Sequence, residues 1–173
     1  MTLAVSDPSA HQAYRTGAMA FMVVCATIIG ALGFEHIGGY APCPLCLEQR
    51  YAYYAGVPLL FGALVLLSAG ELRWAAGLFL VVSLAFLANA GLGAYHAGAE
   101  WGFWPGPSSC SGEQAITASA ANMLESLQAT SVIRCDEAAL RILGVSLAGW
   151  NALVSIFVFG MCLRAAADSL HAE

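Results

Sequence analysis

Ala41-Pro42-Cys43-Pro44-Leu45-Cys46-Leu47-Glu48-Gln49-Arg50 sits where one long apolar run has just ended and another is about to begin. The flanking runs fix the class of fold, and the decapeptide places a close cysteine pair between them. Two thiols separated by two residues can close a small disulfide ring, so the pair suits redox exchange. Pro44 fits the first position of a helix, where its missing N–H costs nothing and the free amides beyond it favour a thiolate. Arg50 follows Cys46 by four residues, which on a continuing helix puts guanidinium and sulfur on one face. A cation there lowers the thiol pKa and can bind an anionic or carbonyl oxygen of a small molecule. The same spacing is also half of a zinc site or a structural disulfide. Cys25, Cys110, Cys135 and Cys162 supply no second close pair, so no metal is expected, and Leu47 stands where covalent haem would want histidine.

Outward from that stretch the chain is apolar throughout. Of 173 residues, 60% are hydrophobic and 10% charged, with a mean hydropathy of +0.73, beyond the range of an ordinary soluble domain. A net charge of −5, with six arginines and no lysine, leaves no basic patch for a phosphate backbone and excludes nucleic acid as a partner. Residues 17–34 are uncharged and long enough to cross a hydrocarbon core of roughly 30 Å. A signal peptide is the rival reading, with Arg15 ahead of the run and Ala31-Leu32-Gly33 as a cleavage pattern, but the run is long for a signal core. Residues 51–69, with Pro58 as a tolerated kink, form span two. Gly70 to Arg73 is a hinge that returns the chain antiparallel into span three, 74–95. Residues 146–163 form span four.

The expected fold is therefore an all-α membrane protein, a single domain over 1–173. Four transmembrane helices form a bundle, with a polar tail over 1–16, a short external loop over 35–50 and a long one over 96–145. Within the long loop, Ile116, Ala120, Met123, Leu124 and Leu127 recur at helical spacing and predict a short amphipathic helix on the membrane surface. Trp101, Phe103 and Trp104 read as an interfacial aromatic belt. Asn89, inside span three, must satisfy its amide against a neighbouring helix or a ligand. Cys25 and Cys162 fall mid-span and read as small packing residues.

Four spans put both termini on one side of the membrane and the two loops on the other, so Cys43, Cys46, Cys110 and Cys135 share a compartment. Arginines divide evenly between the sides. The rule that discounts long loops, together with the persistence of disulfides outside the cytoplasm, favours cytoplasmic termini.

Several stretches resemble the DsbB disulfide-bond formation proteins, quinone-linked thiol oxidases of bacterial inner membranes. They are Cys43-Pro-Leu-Cys46 with Arg50, Tyr95-His96-Ala-Gly-Ala-Glu100, Trp104-Pro-Gly-Pro-Ser-Ser-Cys110, and Cys135-Asp136 followed by Gly144-Val-Ser-Leu-Ala-Gly-Trp-Asn151. The resemblance implies that Cys43 and Cys46 are the quinone-side pair and that Cys110 and Cys135 face a periplasmic, DsbA-like thiol partner, with Cys110 the sulfur attacked. Arg50 would help hold the quinone, ubiquinone or menaquinone, and His96 would lie near it, the cysteine loops being periplasmic. Vitamin K epoxide reductase relatives share the chemistry, but there the loop pair precedes the C-x-x-C; the order here favours DsbB. A second class of function uses the same four cysteines, a non-catalytic four-span scaffold or maturation factor stapled by static disulfides. Such a staple has no need of Arg50 at its spacing from Cys46.

Overall fold

The structure, a computed structural model, describes residues 7–106, 135 and 138–172. Four long helices carry it: α1 (Pro8–His36), α2 (Pro44–Ser68), α3 (Leu72–Glu100) and α4 (Leu147–His171). Each is long and apolar enough to cross a membrane. The helices outlast the apolar runs. Asp7 caps α1 by accepting from the Ser9 amide, with Pro8 in the first turn, so half of the expected 1–16 tail is helical. The Cys43 sulfur caps α2 by accepting from the Cys46 amide, so Cys46, Gln49 and Arg50 belong to a helix and not to a loop. Similarly α3 continues five residues past Tyr95, bringing His96 and Glu100 onto helix, and α4 continues to His171. Helix α2 passes through Pro58 without interruption. The predicted amphipathic helix and Cys110 lie outside the described residues.

Each helix packs on two neighbours, in the ring order α1, α2, α3, α4 and back to α1. Between Ser68 and Leu72 only a three-residue turn is available, and Gly70 supplies its left-handed residue (φ 85°). Phe79 and Phe86 of α3 fill the centre against Leu60, Leu67, Val24 and Val158, all fully buried. Met22, Ile29, Phe61, Leu84 and Phe157 point outward and are more than half exposed. Large apolar side chains on the outside are what a bundle solvated by lipid requires, since hydrocarbon replaces water around it.

α3 and α4 make the most extensive contact. Gly93 allows it, since a Cβ there would stand 3.0 Å from the Ala152 backbone nitrogen. Just before α4 the chain forms a tight antiparallel hairpin, β1 (Arg141–Ile142) and β2 (Val145–Ser146), through Leu143 (φ 53°) and Gly144 (φ 82°). The Trp150 indole donates back to the Ile142 carbonyl at 3.1 Å, and Ser146 caps α4 through the Gly149 amide. Trp101, Phe103 and Trp104 are exposed at the same end, as an interfacial belt would be.

Candidate functional site

The start of α2, the end of α3 and the start of α4 converge at one end of the bundle. Cys43 and Cys46, one helical turn apart, hold their sulfurs 2.7 Å from each other, both as thiols. Cys43 is 5% exposed and donates to Cys46. That hydrogen bond, and burial after it, push the Cys43 thiol well above the ordinary thiol range. Cys46 is the accepting sulfur, at the helix start where free amides favour negative charge.

The two sulfurs face different surroundings. Cys43 packs with Leu45 and with Cys135, which is disulfide-bonded and 1% exposed. The Sγ atoms of Cys43 and Cys135 and a ring nitrogen of His96 all lie within 4.8 Å of one another. His96 Nε2 stands 3.6 Å from Cys43 Sγ, and the ring also bonds the Cys135 backbone. Cys46 instead lines a cavity of about 460 Å³ between α1, α2 and α4, with Phe34, Tyr40, Trp150 and Val154 among its apolar walls and Glu35, Gln49, Arg50, Tyr53 and Asn151 among its polar groups. A flat apolar molecule bearing carbonyl oxygens suits such a pocket, because the few donors are gathered beside the thiol and the remaining wall is hydrocarbon.

Arg50 lines the same cavity, as its spacing from Cys46 predicted, and its guanidinium is ion-paired with Glu35 of α1. The pair fixes the guanidinium at the cavity wall and shares its charge with a carboxylate, which the sequence did not announce. His96 stands on the Cys43 side and is not among the described cavity-lining residues.

Between His96 and the cavity runs a buried chain of hydrogen bonds. Gln49 Nε2 donates to His96 Nδ1 at 2.9 Å, and Asn151 Nδ2 donates to Gln49 Oε1 at 2.8 Å. Asn151 Oδ1 in turn accepts from Tyr53 at 2.7 Å and from Asn89 at 3.3 Å, and Asn89 also donates to Ser155 at 3.0 Å. Asn89 thus satisfies its amide on α4, as its position within an apolar span required. With the Gln49 amide nitrogen facing Nδ1, the ring hydrogen belongs on Nε2, beside the sulfur. Gln49, Tyr53, Asn151 and Ser155 are site residues that the motif analysis did not single out. Their signal is uncharged polarity on otherwise apolar helices, which in a membrane marks either a helix contact or a site.

This geometry, a dithiol between a disulfide and an apolar pocket, stands on a sequence that the model of the family "Disulfide bond formation protein DsbB" matches over residues 14–165. The chain belongs to the DsbB family. Among curated relatives of this DsbB-family chain, a "Disulfide bond formation protein B" of Verminephrobacter eiseniae is 28% identical over 163 residues, covering 87% of this chain and 86% of that one. Another protein of that name, from Paracidovorax citrulli, is 32% identical over 90 residues, 49% of this chain and 47% of its own. An uncharacterized protein of Rickettsia prowazekii is 25% identical over 70% of this chain and 69% of its own length. No solved structure matches the chain. A DsbB-family protein with four apolar helices is a multi-pass membrane protein, and its family chemistry is disulfide bond formation.

Proposed function

We propose that the protein is a quinone-dependent thiol oxidase of the bacterial inner membrane that reoxidises a periplasmic, DsbA-like dithiol partner. The observation that carries this reading is the position of the Cys43, Cys46 pair, one sulfur against disulfide-bonded Cys135 and the other at the edge of the apolar cavity. A static staple has no use for two adjacent thiols so placed.

The relay starts at a Cys110–Cys135 disulfide. The partner's thiolate attacks Cys110, the mixed disulfide is resolved by the partner's second thiol, and Cys110 and Cys135 are left reduced. The partner loses two electrons and its disulfide forms. Cys135, held beside Cys43, attacks Cys43 Sγ of the oxidised pair; the Cys43–Cys46 bond breaks and Cys46 leaves as thiolate at the cavity edge. Completion of that exchange by Cys110 restores the Cys110–Cys135 disulfide and leaves Cys43 and Cys46 as thiols, the state of that pair described above. His96 Nε2–H faces the Cys43 sulfur throughout and can donate to it as charge develops. Gln49, Arg50, Tyr53 and Asn151 are the residues that would hold a quinone, ubiquinone or menaquinone, against Cys46. A quinone bound there supplies an acceptor for two electrons and two protons from the dithiol, which returns to disulfide. Cytoplasmic termini, with the cysteine end in the periplasm, suit an oxidising compartment for the disulfides and the rule that discounts charges in long loops.

The test is anaerobic mixing of the oxidised protein with a reduced thioredoxin-fold dithiol and either ubiquinone or menaquinone, following partner thiols and quinol together. Equimolar loss of dithiol and gain of quinol is the expected result. Thiol loss that stops at the protein's own disulfides, with no quinol, returns the stapled scaffold.

A further inference from the structure

One buried carboxylate takes no part in that relay. Glu100 ends α3 with its side chain 5% exposed and Oε1 3.8 Å from His96 Nε2. Its other oxygen, Oε2, is buried with no hydrogen-bond partner among the described residues, although Ser146 and Arg141 approach the group. An orphaned carboxylate oxygen in a dry site is costly unless a cation or proton completes it. Beside it stand three further donors, the sulfurs of Cys43 and Cys135 and a nitrogen of His96, within 4.8 Å of one another.

The C-x-x-C stretch lacked a second pair in sequence to complete a zinc site. In space Cys43 meets donors from elsewhere, His96 and Cys135, and Glu100 Oε1 stands 3.8 Å from the His96 ring. We propose that in the reduced protein Cys43, His96, Cys135 and Glu100 bind one thiophilic divalent cation of the zinc class, which ties up one sulfur of each redox pair and arrests exchange between them. The proposal rests on the reading above that the Cys135 disulfide is opened during turnover.

Two thiolates, an imidazole and a carboxylate are a donor set that Zn²⁺ takes tetrahedrally. At usual metal–ligand lengths neighbouring donors lie about 3.5 Å apart, so Cys43, His96 and Cys135 have to draw in by roughly 1 Å and the Glu100 carboxylate has to turn in beside them. The Cys135 disulfide is first reduced by a dithiol, which gives up two electrons and two protons and becomes a disulfide itself. The cation then displaces one proton each from Cys43 and Cys135, and no electron moves in the binding step. His96 must offer its Nε2 lone pair, so its hydrogen shifts to Nδ1. Gln49 then turns its amide to present oxygen, the outer-shell acceptor that metal-bound histidines usually have, and gives up the bond that Gln49 Oε1 accepts from Asn151 Nδ2. Cys46 is left out of the site.

Co²⁺ is the probe, titrated anaerobically into the full-length, phosphine-reduced protein in detergent. The expected result is one equivalent with tetrahedral d–d bands and thiolate-to-cobalt charge transfer, displaced by Zn²⁺ and missing from the oxidised protein. Cys135→Ser should lose about half of the charge-transfer intensity, with one of two thiolates gone, and weaken binding, and Glu100→Gln should weaken binding at least tenfold, in line with a lost ligand. Cys46→Ser should bind as the parent does. Absence of the charge-transfer band in reduced parent protein, or parental affinity in either Cys135→Ser or Glu100→Gln, overturns the proposal. Metal-free quinone reduction by the parent protein is measured alongside. Quinol formed without cobalt binding rejects the metal site alone, whereas cobalt bound without quinol rejects the oxidase alone.

Discussion

Cys162 and Cys43 are both buried cysteines in the same four-helix bundle, and only their neighbours distinguish them. Cys162 lies in the apolar layer with Phe79, Val158 and Ala165, fully buried and among hydrocarbon. Cys43 lies in the polar layer at the loop end, with Cys46, His96 and Cys135 against it. Burial is common to the two, so burial does not mark a reactive thiol. A second sulfur, a ring N–H and a disulfide within reach do.

The sharpest way to break this contrast is to remove a sulfur from each layer. Cys46→Ser should abolish quinone reduction, since the dithiol can no longer return to disulfide; residual turnover in a quinol assay would break the assignment. Inside the polar layer the two thiols should differ as well. With Cys43 pushed up by its hydrogen bond to Cys46, less of it is thiolate at a given pH, and Cys46 is expected to be alkylated first. One unit of separation already gives about a tenfold rate ratio, and peptide mapping after brief iodoacetamide treatment at neutral pH reads it. Equal rates would erase the distinction between attacked and leaving sulfur.

Arg50→Gln probes the cavity side of the polar layer. Loss of one charge-assisted hydrogen bond, worth about 1.5–3 kcal/mol, should raise the apparent quinone KM by about tenfold or more while disulfides still form. Arg50→Lys should restore only part of this, because an ammonium lacks the planar fork and Glu35 already occupies one side. Unchanged kinetics would make Arg50 an anchor for Glu35 alone. Asn151→Leu strips partners from Gln49, Tyr53 and Asn89 together and should cost about 1–3 kcal/mol in detergent unfolding. Cys162→Ala closes the series from the apolar layer, with activity unchanged and a stability loss of about 1 kcal/mol. An activity loss there comparable to that of Cys46→Ser would end the comparison.

The four helices were legible because lipid demands continuous apolar runs, and a run of that length admits few alternatives. Helix ends were less legible. At Pro8, Pro44 and Glu100 the backbone stays helical through polar residues whose caps and partners, not their hydropathy, decide where the helix stops. That Cys46 and Arg50 face the same side of α2 could be read from spacing alone. Gln49 could not, because its value depends on α2 starting at Pro44 and on Asn151 arriving from a helix about a hundred residues later. Glu35 and Glu100 were hidden for the same reason, since each acts through a partner on another element or at the opposite end of a turn.

The hairpin at Arg141–Ser146 shortens a leash. Only residues 136–140 join Cys135 to its first strand, a covalent reach of about 20 Å at full extension, and Trp150 pins the base of that hairpin to α4. That tether keeps Cys135 within covalent reach of the hairpin, and its sulfur stands within 4.8 Å of that of Cys43. Short tethers give local concentrations in the millimolar range, far above those of dissolved thiols. On the proposed relay, transfer between the two pairs is first order, so raising the partner's concentration should speed the first exchange and leave this inner step unchanged.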